Sequence, residues 1–138
     1  MPQCRHGAVL IPPSGMATKR LMIGILLASL LTLMNASRAQ ANVPPLSDDP
    51  MLRQRAQVRA ERMCAAGQFS HDGYQKAFAG LGYRSMAENL AKGQRDARSV
   101  HSQLMASPGH RANILNGRYR AVGIGSACNI TVELFGGK

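Results

Sequence analysis

Between residues 52 and 63 the apolar positions Leu52, Ala56, Ala60 and Met63 recur at helical spacing, with Arg53, Arg55, Arg59 and Arg62 between them. This period predicts an amphipathic helix. Asp48 or Asp49 caps its start, and Pro50 stands in the first turn, where a missing N–H is no loss. Gly67 stops it after about Ala66. The pattern breaks at "FSHDG", and a short helix from Tyr74 to about Leu81 follows. "LGYRSMAENLAKG" mixes turn and extended signals. Helical spacing resumes near Asp96, with Ala97, Val100 and Leu104 facing inward, and ends at the Ser107-Pro108 corner.

A last short helix opens at that corner. Ser107 is placed to cap it through its hydroxyl, Pro108 suits the first helical position, and Gly117 reads as a left-handed stop after Asn116. The period then changes. "YRAVGIGSA" and "NITVELFG" carry β-branched and aromatic residues in partial alternation around a turn near Cys128-Asn129, which predicts a closing hairpin. Gly123, Gly125 and Ser126 leave room for another backbone to approach. Helices first and a hairpin last predict a layered α+β domain.

The N-terminal stretch has a different pattern. Lys19 and Arg20 precede an apolar run from Leu21 to Met34, and a small-x-small triplet, Ala39-Gln40-Ala41, closes it. That is the layout of a secretory signal peptide cut between Ala41 and Asn42, with an uncleaved membrane anchor as the alternative. Residues 1–15 fit no part of such a signal, so translation is expected to begin at Met16. On this reading 1–41 is signal, 42–48 a Pro-rich linker and 49–138 one domain, secreted or periplasmic, with no transmembrane segment after processing.

Charge and cysteine content refine the picture. The chain carries 17 Lys and Arg against seven Asp and Glu. All seven acids lie after the expected cut and only Arg5, Lys19, Arg20 and Arg38 lie before it, so the domain stays basic. The arginines are dispersed with few aromatics between them, and the export signal argues further against nucleic acid. A basic exported domain instead meets anionic envelope polymers or lipid headgroups, unless the charge only aids solubility. Cys64 and Cys128 remain after processing. In an oxidising compartment the pair predicts one disulfide, with two buried free thiols as the alternative.

Four positions carry candidate chemistry. His71 lies in the "FSHDG" turn. Glu88 and Asn89 lie in a half-buried segment, where a carboxylate must find a partner. His110 falls in the first turn of the last helix, whose dipole disfavours imidazolium. His101 reads as a surface residue. No pair of histidines has zinc-protease spacing.

In combination, "FSHDG", "AENLAKG", "SPGHRANIL" and "RYRAVGIG", in that order, resemble the bacterial branch of the CAP superfamily, the cysteine-rich secretory, antigen 5 and pathogenesis-related 1 proteins, also called SCP-like domains. The resemblance covers roughly Asp49 to Gly136. It implies a three-layer α-β-α sandwich with a central cavity. It also implies that His71, Glu88 and His110, beside Asn89, line a cleft that could hold a divalent metal such as zinc. Two departures stand out: Ser107 lies where a second acid is expected, and Leu104 where an aromatic is expected. The resemblance favours a binding module for a lipid, peptide or envelope ligand. A metal-assisted extracellular hydrolase or peptidase is the first alternative, and a structural envelope protein the second. Oligomeric state is left open.

Overall fold

The computed structural model of the chain describes residues 14–138, so of the stretch 1–15 read as preceding the true start, 1–13 lie outside the described residues. In chain order the elements are α1 (Ser14–Gln40), β1 (Ser47–Asp48), α2 (Pro50–Ala66), a 3-10 turn (Tyr74–Phe78) and β2 (Ser85–Lys92). They continue with α3 (Ala97–Ala106), α4 (Pro108–Leu115), β3 (Ala121–Ala127) and β4 (Ile130–Gly137). The four strands form one sheet in the order β1-β3-β4-β2. β1 runs parallel to β3, and the other neighbours are antiparallel.

Strand alternation gives the sheet two apolar faces. Val122, Ile124, Phe135, Ala87 and Ala91 meet α1, α3 and α4, whereas Leu90, Val132 and Leu134 meet α2. The result is the expected α-β-α sandwich with two cores. On the second side the helix lies against glycine: a Cβ on Gly123 would stand 2.1 Å from the Leu52 carbonyl carbon, and one on Gly125 2.3 Å from the Gln57 nitrogen. The small residues of β3 therefore set how closely α2 approaches the sheet.

Local signals account for most boundaries. Asp49 caps α2 by accepting from the Met51 and Leu52 amides, and Gly67 ends the helix in the left-handed region at φ 62°. Asp96 caps α3 through the Ser99 amide. Cys128 and Asn129, both at positive φ, make the β3–β4 turn. That turn brings Cys128 to Cys64 at the end of α2, and the two are joined in a disulfide. Closing a loop of this length stabilises the fold by about 4 kcal/mol on the chain-entropy account.

Four expectations change. The helix begun at Tyr74 is a 3-10 turn ending at Phe78, because Gly80 and Gly82 carry the chain through positive φ. At α4, Ser107 holds the N-cap position without a side-chain bond, and the helix closes at an extended Asn116 rather than at a left-handed Gly117. His101 is buried, with Nε2 2.8 Å from Ser37 Oγ, because α1 covers the α3 face it projects from.

The fourth change is the largest. Leu30, Met34 and Arg38, spaced one helical turn apart on α1, are wholly buried in the first core. Asn35 donates to and accepts from the Leu46 backbone, at 3.0 and 2.8 Å. Residues 42–48 are likewise more than a linker, since they supply buried Leu46 and strand β1. The packed unit thus begins inside α1, upstream of Asp49.

Candidate functional site

Glu88 and Asn89 are consecutive on β2, so their side chains leave opposite faces of the sheet. Glu88 points toward α2. Its carboxylate accepts from Arg59 Nε at 2.5 Å and Nη2 at 3.0 Å, a two-point clamp on a side chain with no exposed surface. The same Arg59 guanidinium also donates to the Ser70 and Asp72 carbonyls and so fixes the "FSHDG" turn. That turn presents His71, whose Nδ1 lies 3.0 Å from Glu88 Oε1. The carboxylate that the sequence left without a partner therefore has two.

Asn89 points the other way. Its Nδ2 donates to the His110 carbonyl and to Glu133 Oε1, both at 3.1 Å, while its Oδ1 accepts from Asn113 Nδ2 at 2.9 Å. This network pins the start of α4 and with it the backbone of His110. The His110 imidazole is held below the ordinary histidine range, first by burial and then by the nearby charge of His71. Burial thus favours the neutral imidazole that the sequence ascribed to the helix dipole.

The structure joins His71 to Glu88 directly and brings His110 within electrostatic reach of His71. It does not assemble the three-ligand zinc set that the resemblance implied. Among the described residues no three His, Cys, Asp or Glu side chains come together to hold a metal ion. The chemistry of the donors agrees: Arg59 already neutralises the negative charge that Glu88 would offer a metal, at hydrogen-bond distance from both oxygens. The residues present do not fit the metal.

The cavity next to the His71–Glu88 pair also differs from expectation. A groove of about 500 Å³ lies along α2, lined by Arg55, Arg59, Arg62, Ser70, Asp72 and Lys76 among others. Arg59 is the residue it shares with the His71–Glu88 pair. Arg55 is partly engaged, donating to the Ala77 and Ala79 carbonyls. Arg62 and Lys76 have no ion-pair partner among the described residues.

Arg59 and Glu133 are the site residues that sequence reading passes over. Arg59 reads as one of four polar spacers on α2, and nothing local distinguishes it from Arg62. Glu133 had a signal: it stands in an apolar run closing the chain, where both strand faces are covered. Its side chain is fully buried, and Oε2 has no hydrogen-bond partner among the described residues. Burial pushes its pKa up to about 7 against the pull of Asn89. The folded protein therefore keeps a proton that the unfolded chain releases above about pH 4.5. Stability from this group is fully present below that pH and declines as the pH rises toward 7, by about 3 kcal/mol in all. Urea midpoints measured across that range should fall with rising pH for the wild type. For Glu133→Gln they should no longer fall and should instead rise, because His101 and His110, both held below the ordinary histidine range by burial, favour the folded state as the pH rises.

Comparison with known proteins agrees with this architecture. The Cysteine-rich secretory protein family profile matches residues 31–131, starting inside α1 as the packing does. YkwD of Bacillus subtilis, an uncharacterized protein, is 33% identical over 104 residues, which are 70% of this chain and 40% of that protein. The chain thus spans well under half the length of that relative. An extracellular SCP-domain protein from Bacillus anthracis superimposes with a TM-score of 0.81 at 23% identity, over 93% of this chain and 45% of the other. An outer surface protein of Borrelia burgdorferi does so with a TM-score of 0.71 at 21% identity, over 87% of this chain and 95% of the other. Fold, motif order and profile coincide over most of the described residues, and the chain belongs to the cysteine-rich secretory protein (CAP) family.

Proposed function

We propose that this CAP domain is a binding module working outside the cytoplasm, and that the α2 groove takes an anionic group of an envelope polymer, peptide or lipid. The observation that carries this is the charge of the groove. Arg55, Arg59, Arg62 and Lys76 face Asp72 alone among its lining acids. A concave site with one sign of charge concentrates ligands of the other sign. Arg59 links the groove to the His71–Glu88 pair, so an anion drawing on Arg59 competes with Glu88 and loosens the "FSHDG" turn. His71, between the lining residues Ser70 and Asp72 in sequence and paired with Glu88, is then released as a further hydrogen-bonding group. An extracytoplasmic location is supported by the disulfide, by an N-terminal apolar helix that fits a signal sequence, and by structural neighbours that are extracellular or surface proteins.

Calorimetric titration with inorganic polyphosphate tests the reading. Binding should weaken as salt rises, and Arg62→Glu with Lys76→Glu should raise Kd at least about tenfold at low salt. Both positions are exposed, so the fold should be unchanged. Salt-independent binding, or binding indifferent to the two reversals, would remove the groove from the mechanism.

A further inference from the structure

The two halves of α1 have opposite surroundings. From Leu30 onward the helix is part of the domain. The Arg38 guanidinium donates to the carbonyls of Ile114 at 2.8 Å, Asn116 at 3.1 Å and Tyr119 at 2.9 Å, while Nε donates to Pro44 at 2.7 Å. Arg38 thus ties together the end of α4, the approach to β3 and the chain leaving α1, in a place with no exposed surface. A cut after Ala41 would remove this side chain, the Asn35 bonds to Leu46, the Ser37 contact with His101, and the core residues Leu30 and Met34.

Between Leu21 and Ala41 the triplets with small residues at first and third positions are Ser37-Arg38-Ala39 and Ala39-Gln40-Ala41. Both lie in the C-terminal half of α1 and just past its end, where Arg38 is buried and Ala39, Gln40 and Ala41 are exposed. A cut at either triplet would separate Leu30, Met34 and Arg38 from the core that they complete. Upstream of Leu30 the apolar run has no triplet of this kind.

Toward the N-terminus the same helix is bare on much of its surface, with only Leu26 and Leu27 ahead of Leu30 still packed against the core. Met16, Leu21, Met22 and Ile25 are 56 to 65% exposed, and they make up four of the six large apolar residues exposed among the described residues. Lys19 and Arg20 stand beside them, also exposed. From Leu21 to Ala28 no charged residue interrupts the helix on any side. A helix apolar all round is covered by protein or by lipid. The adjoining basic pair suits the anionic headgroups of a membrane surface.

From these observations we infer that α1 is not cleaved, and that its exposed N-terminal half anchors the domain in the lipid bilayer while its C-terminal half completes the domain core. The occupant of the bare surface is the bilayer. The stretch ahead of the core residues, from Leu21 to Ser29, is about 13 Å long, less than half of a hydrocarbon thickness of about 30 Å, so it enters the bilayer from one side without crossing it. This shallow insertion, with the Lys19 and Arg20 side chains reaching the headgroups, holds the domain flush with the membrane surface. The inference shares with the functional reading only the location outside the cytoplasm, and it does not involve the α2 groove.

Two measurements on the full chain test it. Intact-mass analysis of the exported protein should return a species that includes Lys19 through Ala41, in a membrane fraction that resists carbonate washing. Purified protein should partition into phosphatidylcholine vesicles containing phosphatidylglycerol, and Leu21→Asp with Ile25→Asp should weaken that partition at least about tenfold. The melting temperature of the double variant should match the wild type, because both side chains lie outside the core. A soluble exported domain beginning at Asn42, or at any residue after Leu27, would overturn the inference. So would vesicle binding that the double substitution leaves unchanged. Loss of groove binding with vesicle binding intact would count against the functional reading alone.

Discussion

Arg38→Ala is expected to lower stability by about 3–5 kcal/mol, because it strands carbonyls that accept from one buried guanidinium. For a domain of this size the melting temperature should fall by about 15–30 °C. The carbonyls of Ile114, Asn116, Tyr119 and Pro44 belong to segments far apart in sequence, and a single planar fork serves all of them. Arg38→Lys keeps the charge but replaces the fork by one point donor, so it should recover about half of the loss at most. Arg20→Ala, on the exposed end of the same helix, should change stability by less than about 0.5 kcal/mol. Differential scanning calorimetry of the three variants separates these cases. Equal melting temperatures for Arg38→Ala and wild type would mean that α1 is not part of the folded unit.

The second large effect concerns the glycines of β3. Gly123→Ala places a methyl carbon 2.1 Å from the Leu52 carbonyl carbon and 2.3 Å from the Arg53 nitrogen. Gly125→Ala places one 2.3 Å from the Gln57 nitrogen and 2.5 Å from the Ala56 carbonyl carbon. These neighbours are backbone of α2 and cannot rotate aside, so helix and sheet must separate. Each substitution should be destabilising by more than about 4 kcal/mol, at or beyond the whole stability of a small domain. Because Arg59 rides on α2, a displaced helix also breaks its clamp on Glu88. Gly109→Ala is the control: nothing lies within 4 Å of its added carbon, and α4 should gain about 0.5–1 kcal/mol in helix propensity. Urea denaturation followed by circular dichroism reads all three.

Much of the fold is legible along the chain, and the reasons are local. Asp49, Gly67 and Asp96 mark helix ends because a cap bond or a positive φ involves only neighbours within a turn. The Cys128-Asn129 turn is read from two adjacent residues at the centre of an alternating pattern. The site is legible only in outline. "FSHDG", "AEN" and "SPGHR" pick out His71, Glu88, Asn89 and His110, and the structure places His71 on Glu88 and the His110 backbone on Asn89. Their partners were not legible. Arg59 lies 29 residues before Glu88, and only the packing of α2 on the sheet selects it from the other arginines of its helix.

The sequence by itself determined the periods, the caps, the closing hairpin and the motif order that marks the family, since each depends on residues within a few positions of one another. The tertiary structure alone decided which side of β2 each of Glu88 and Asn89 serves, that Glu133 keeps its proton near neutrality, and that half of an apolar N-terminal helix is core. Those outcomes depend on what covers a side chain. Covering is supplied by elements distant in sequence, so that hydrophobicity alone makes a segment bound for lipid and a segment bound for a protein core look the same.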